Sequence, residues 1–257
     1  YLTTASALQG TFTVDQNSPP SATNFNFIGE AIVELNALGV SGPTTLNVQA
    51  DQIFTEILPP ITATGTPTSP ITFQKSGSGA DPVLKTNGLP GEENAALDIV
   101  GSDFFTISNI TIRPAGDPTD LEFGIRVQNA SPTNGAQNVS LFNITIWGAN
   151  DPVHPSLVGV QQSQQVPPTS SAGANSNNSY QNITTNHGGP AIKLVGDPTF
   201  PDANNTISGT VDGRNSNPGN SDLFVVRILN QDGPSLGTLE VKNFAGTGTG
   251  AITAVKI

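Results

Sequence analysis

The sequence predicts an all-β solenoid, and three observations predict it. The first is an apolar-x-apolar motif that returns six times: Leu97-Asp98-Ile99, Ile125-Arg126-Val127, Val158-Gly159-Val160, Ile192-Lys193-Leu194, Val226-Arg227-Ile228 and Ile252-Thr253-Ala254. Their first positions are 28, 33, 34, 34 and 26 residues apart. These spacings fall within the window of roughly 20 to 50 residues where self-similarity marks stacked repeats. The second is a companion series: Ile107-Ser108-Asn109-Ile110, Leu141-Phe142-Asn143-Ile144, Tyr180-Gln181-Asn182-Ile183, Ile207-Ser208-Gly209-Thr210 and Glu240-Val241-Lys242-Asn243-Phe244. With Asn109, Asn143, Asn182, Gly209 and Asn243 as markers its spacings are 34, 39, 27 and 34, so the two columns advance in step. The third is that both columns alternate apolar and polar residues at period two, which means strands with one buried face.

The elements follow in order. Residues 1–43 form an amino-terminal cap and residues 44–257 the stacked repeats, all in one domain. A strand is expected over Gly10–Asp15. A helix is expected over Thr23–Leu38, because Phe25, Ile28, Ile32 and Leu35, with Ala31 beside them, make one apolar stripe. Thr23 or Asn24 serves as its cap, and Gly39 with Gly42-Pro43 ends it. Further strands are expected over 44–50, 53–58, 71–74 and 83–85. An open stack exposes unpaired backbone groups that recruit other chains, and the helix covers that end. Residues 251–257 keep a strand pattern; solenoids need polar caps, so more chain is expected to follow and self-association through an open end is possible.

Composition narrows the function classes. Charged residues are 11%, against about 25% in ordinary globular domains, while the 27 Gly and 21 Pro mark many turns. Absence of cysteine excludes disulfides, thiolate metal sites and cysteine nucleophiles. A net charge of -11 argues against a nucleic-acid partner and permits cation association. No apolar run approaches the roughly 18 residues of a membrane span, and a chain without methionine reads as a processed product or an excerpt.

Several segments resemble the right-handed parallel β-helices of the pectin lyase-like superfamily. They are Thr11-Phe12-Thr13-Val14-Asp15, Phe27-Ile28-Gly29-Glu30-Ala31-Ile32, Thr45-Leu46-Asn47-Val48-Gln49-Ala50 with Phe54-Thr55-Glu56-Ile57, and Leu97 to Arg113. Glu34-Leu35-Asn36 followed by Gly42-Pro43 is similar to non-catalytic β-helix segments in large surface proteins of type IX-secreting bacteria. The resemblance implies a right-handed parallel β-helix over nearly the whole chain. The superfamily's catalytic strings are missing: Asp103-Phe104-Phe105 departs from the pectin esterase motif at Thr106 and Ile107, and His187-Gly188-Gly189 and Arg227-Ile228-Leu229 lack the polygalacturonase aspartates.

One functional lead comes from the first column. If the apolar flanks point inward, Asp98, Arg126, Gly159, Lys193, Arg227 and Thr253 form an outward row. Adjacent strands lie about 4.8 Å apart, so Arg126, Lys193 and Arg227, with Asp98, could grip an acidic polysaccharide. The plainer reading is that solvent-facing strand positions tolerate charge. His154 and His187 read as loop residues, and two histidines cannot complete a zinc site. Asp202, Asp212, Asp222 and Asp232 read as turn aspartates; no cofactor is expected, although calcium is possible there. The recurrent asparagines suit ladders at inward turns; Asn109, Asn138, Asn143, Asn177, Asn182 and Asn204 also open N-x-[ST] sequons. Trp147 reads as packing, and 161–178 as a polar excursion able to carry binding.

The expectation is a non-catalytic module of a secreted or cell-surface protein, a rigid stalk or adhesin that binds polysaccharide or a cell-surface glycan. A carbohydrate-active lyase, esterase or hydrolase is the alternative, resting on fold analogy.

Overall fold

The structure is a computed structural model. It describes residues 6–89, 93–116, 121–148, 157–186, 189–214, 226–229, 231–232 and 235–242. The chain opens with β1 (Leu8–Val14), β2 (Asn24–Phe25), helix α1 (Ile28–Leu38), β3 (Val40–Gln49), β4 (Ile53–Thr55), β5 (Ile71–Ser76) and β6 (Val83–Thr86). There follow β7 (Ala95–Val100), β8 (Phe105–Pro114), β9 (Phe123–Gln128), β10 (Ser140–Trp147), β11 (Val158–Ser163), β12 (Ser179–Asn186) and β13 (Ile192–Val195). The remaining strands are β14 (Asp202–Ala203), β15 (Thr206–Arg214), β16 (Val226–Leu229), β17 (Gln231–Asp232) and β18 (Ser235–Lys242). Among the described residues the protein is mostly β, with parallel sheets and a single α-helix.

The larger sheet runs β18-β15-β12-β10-β8-β5-β3-β1-β2, with β4 and β6 joined to it through β8. The second sheet runs β16-β13-β11-β9-β7, and β14 pairs with β17. From β7 to β13 the chain visits the two large sheets alternately, so each strand from β9 on pairs with the strand two places earlier in the chain. Such parallel pairing requires crossover connections between successive partners.

Period-two alternation builds the core. Phe12, Leu46, Phe73, Ile107, Leu141, Tyr180 and Ile207 stand opposite one another on successive strands, all buried. Leu97, Ile125, Val160 and Ile192 do the same on the second sheet. Burying each such side chain contributes about 1.5–3 kcal/mol.

The larger sheet bends at the asparagine markers. Asn109, Asn143, Asn182 and Gly209 have φ of 56, 55, 53 and 72°, the left-handed conformation that Asn and Gly adopt most readily. The first half of β8 pairs with β5 and its second half with β6, so one left-handed residue replaces the whole connection between those two strands. The Asn143 amide donates to Asn109 Oδ1 at 3.0 Å, and that of Asn182 to Asn143 Oδ1 at 2.8 Å. The expected ladder exists, but on the half-exposed outer edge of the bend, not inward. A second left-handed column holds Phe104, Asn138, Asn177 and Asn204 just before strands. These two columns account for six of the seven N-x-[ST] sequons; the seventh, Asn129-Ala130-Ser131, lies outside them. After each Asn of the six comes a buried residue (Ile110, Val139, Ile144, Asn178, Ile183, Asn205), then a Ser or Thr on the strand.

The helix begins later than its stripe predicts. Phe25 pairs with Val14 as part of β2 and packs on Phe12, ring centroids 6.1 Å apart. Asn24 is buried with its amide donating to the carbonyls of Asp15, Ser18 and Pro19, so it cannot cap. Instead Glu56 accepts from the N–H groups of Ile28 (2.9 Å) and Gly29 (2.8 Å), and Glu30 accepts from Asn26 and Phe27. Gly39 at φ 64° ends the helix as expected. Ile28, Ala31, Ile32 and Leu35 are buried, and the helix packs against β1, β2 and β3 at that end of the sheet. No helix among the described residues is long and apolar enough to cross a membrane.

Candidate functional site

The outward row of the second sheet forms with one substitution. Asp98 stands opposite Arg126, Arg126 opposite Gln161, Gln161 opposite Lys193, and Lys193 opposite Arg227. The third place belongs to Gln161, not Gly159. A Cβ on Gly159 would lie 2.0 Å from Thr185 Oγ1 and 2.6 Å from the Ala191 carbonyl oxygen, so Gly159 lets this sheet close against β12. The true repeat is Val160-Gln161-Gln162, in which a buried glutamine takes an apolar place. The fifth marker of the companion series also shifts, because Leu239 stands opposite Gly209. Asn243 and Thr253 lie outside the described residues.

Within the row, Arg126 and Asp98 form a two-point ion pair: Nε to Oδ1 at 3.1 Å and Nη2 to Oδ2 at 2.7 Å. Gln128 Nε2 donates to both Asp98 oxygens, at 3.0 and 3.1 Å. Glu93 lies 3.7 Å from Arg126 Nη1, and the guanidinium carbon stands 5.3 Å from the Phe123 ring centroid. Burial works against the Arg126 charge, yet the hydrogen bond and charge of Asp98 outweigh it and hold the guanidinium pKa above its ordinary value. Arg126 therefore is not one of three free cations. Its charge is matched by Asp98, and the row reads as planar hydrogen-bonding groups followed by Lys193. Lys193 is half-exposed with no hydrogen bond or ion pair among the described residues, and Gln161 Oε1 is buried without a donor. Arg227 holds its register through its backbone.

Other acids serve the scaffold. Asp103 accepts from the Gln137 N–H at 2.8 Å, and burial pushes its carboxyl up. Asp15, held by Ser18, Gln52 and the Asn17 N–H, lies below its ordinary value. Asp202 is fully buried and takes amide hydrogens from Gln162 (2.6 Å), Gln164 (2.5 Å) and the Asn175 backbone (2.8 Å). Gln162 in turn accepts from Tyr180 (2.6 Å) and Asn178 (3.0 Å); burial, then the Asp202 charge, raises the Tyr180 hydroxyl pKa well above its ordinary value. Within the 161–178 stretch Asn175 and Asn178 are buried partners of neighbouring strands, while Gln165, Pro167, Thr169, Ser171, Ala172 and Asn177 stay exposed. Asp212 is buried and Asp232 exposed; Asp222, His154 and His187 lie outside the described residues. Among the described residues no three acidic or histidine side chains gather where they could hold a metal ion.

A second row escaped the sequence reading. Thr55 stands opposite Lys85 and Lys85 opposite Arg113. Ile112 faces Ile146, so Trp147 follows at the height of Arg113, and Arg113 Cζ lies 4.8 Å from the Trp147 ring centroid. Asn186 and Arg214 continue the row. Arg113, Trp147 and Asn186 each lie four residues beyond Asn109, Asn143 and Asn182. That constant offset was the available signal.

No protein-family description and no curated relative matches the sequence. The fold does have solved counterparts: two crystal structures of the GH136 lacto-N-biosidase from Eubacterium ramulus, the selenomethionine derivative and the native protein, are similar with TM-scores of 0.52 and 0.53. The likeness is one of fold. Identity is 12% and 11%, and the match covers 90% of this chain. It covers 55% of theirs, so the chain spans about half the length of those structures.

Proposed function

We propose that the chain is one right-handed parallel β-helix domain of a secreted or cell-surface protein, and that it binds carbohydrate without cleaving it. The observation that carries this reading is the state of Asp98: both oxygens are occupied by Arg126 and again by Gln128. A carboxylate held in that way has both oxygens engaged and is poorly placed to attack a sugar, whereas glycoside hydrolysis generally uses two available carboxyl groups. On neighbouring strands Arg126 and Lys193 offer cationic donors, with the largely buried amides of Gln128 and Gln161 beside them, and such groups bind sugar hydroxyls and uronates. The stacked strands hold this row on a rigid support.

A hydrolase is the second reading, and the fold likeness to a lacto-N-biosidase supports it. One experiment separates the two. Binding of neutral oligosaccharides and uronate polymers is measured by calorimetry for the wild type and for the triple variant Arg126→Ser, Lys193→Ser, Arg227→Ser, together with reducing-sugar release. The expected result is at least tenfold weaker binding in the variant and no sugar release by either protein. Unchanged binding removes the second-sheet site; release of sugar that Asp98→Asn abolishes establishes the hydrolase.

A further inference from the structure

The geometry points to a second binding site, for the carboxylate or sulfate groups of an acidic polysaccharide, formed by Lys85, Arg113 and Trp147. It rests on the carbohydrate reading above but lies on a different sheet from the Asp98–Arg126 row.

Lys85 and Arg113 break a local rule. Like charges directly opposite on neighbouring strands repel, and sheets ordinarily separate them or pair them with acids. This chain has 20 acidic residues and only 9 Lys and Arg, so acids are plentiful. Lys75 has Asp81 at 3.0 Å and Arg126 has Asp98 at 2.7 Å. Lys85 and Arg113 nevertheless face each other across β6 and β8, with no ion pair among the described residues. The row they share, Thr55, Lys85, Arg113, Trp147, Asn186 and Arg214, contains no acid. Local conflicts of this kind are retained where function uses them.

Trp147 explains how Arg113 is held. A guanidinium lying over an indole gains from the ring's negative face and keeps its edge free. The free edge carries a fork of N–H donors that matches a carboxylate or sulfate at two points. Lys85, one strand away at about 4.8 Å, adds a point charge from a flexible stem. A neighbouring row adds hydroxyls: Thr111, Thr145 and Thr184 stand opposite one another two residues nearer the bend. Two cations, an aromatic ring and three hydroxyls therefore lie on one face of one sheet. The net charge of -11 argues against nucleic acid, whose binding relies on broad basic surfaces. An acidic sugar chain presents single anionic groups among many hydroxyls, as this arrangement requires.

The test uses the intact chain and three probes in affinity electrophoresis: polygalacturonate, dextran sulfate and neutral dextran. The variants are the double Lys85→Ser, Arg113→Ser and the conservative Arg113→Lys; thermal unfolding confirms that each is folded. Expected is at least a tenfold loss of affinity for the two anionic polymers in the double variant. Arg113→Lys should lose a part of that, because a lysine cannot supply the fork. Anionic binding unchanged in the double variant but weakened by the Arg126, Lys193, Arg227 triple overturns this site and leaves the second-sheet reading standing. Anionic binding lost in the double variant and kept in the triple does the reverse. If none of the three polymers binds, the site is overturned as well.

Discussion

Asn143 shows how much one residue does in this protein. Its backbone sits at φ 55°, its amide donates to Asn109, and its carbonyl accepts from Asn182. An ordinary residue in that conformation costs about 1–2 kcal/mol, and each lost hydrogen bond about 1 kcal/mol. Asn143→Ala should therefore destabilise by about 3–4 kcal/mol, and Asn143→Gly, which accepts the backbone angle, by about 2 kcal/mol. Urea unfolding of both variants measures this, and equal losses would show that the left-handed angle contributes nothing. The recurrence of Asn109, Asn143 and Asn182 was legible in the sequence because each repeat needs the same bend. The side of the bend on which the ladder runs was not, since alternation says which residues are buried only while the strand is straight.

At the scale of the element, helix α1 depends on a residue from elsewhere. Glu56, on the segment after β4, supplies the two acceptors that the first turn of α1 lacks, where a negative charge also meets the positive end of the helix. Burial nonetheless raises the Glu56 pKa above 4.5, more than the Gly29 and Ile28 N–H groups lower it. A folded pKa above the unfolded one means that the folded state holds the proton more tightly. Glu56 therefore contributes stability in its protonated form, lost as pH rises from 4.5 through the raised value. Asp103 acts in the same direction and Asp15 in the opposite one. Glu56→Gln, which keeps one acceptor, should flatten this fall relative to wild type when urea midpoints are compared at intervals from pH 4 to about pH 7. Identical slopes would exclude Glu56 as the source. The apolar stripe of α1 was visible in the sequence; its start was not, because the residue that caps it is 28 positions away from Ile28.

Among the described residues each strand of the two large sheets meets chiefly its neighbours in its own sheet, the pattern for which stability is a sum of neighbour terms. Leu141, fully buried in β10, contacts its counterparts Ile107 and Tyr180 on β8 and β12. Leu141→Ala should cost about 2–5 kcal/mol and speed hydrogen exchange in β8, β10 and β12 while leaving β1 and β3 protected. Uniform loss of protection would mean that the sheet opens as one unit. The spacing of the repeats was readable because burial enforces it in every repeat. It slipped at Val158-Gly159-Val160, where the core position belongs to Gln162 and its polar partners, so the apolar pattern moved two residues from the true register. The basic-aromatic row was missed for a related reason: its members are unlike in type and alike only in place.

The two left-handed columns have a consequence for how the protein can be made. Oligosaccharide transfer in a eukaryotic secretory pathway acts on N-x-[ST] in the unfolded chain, before any bend exists. A sugar on Asn143 or Asn182 would occupy the very nitrogen that joins one repeat to the next. Production in such a host sets modification against folding at Asn109, Asn143 and Asn182, three of the bend's four left-handed markers, and a host without that machinery removes the conflict.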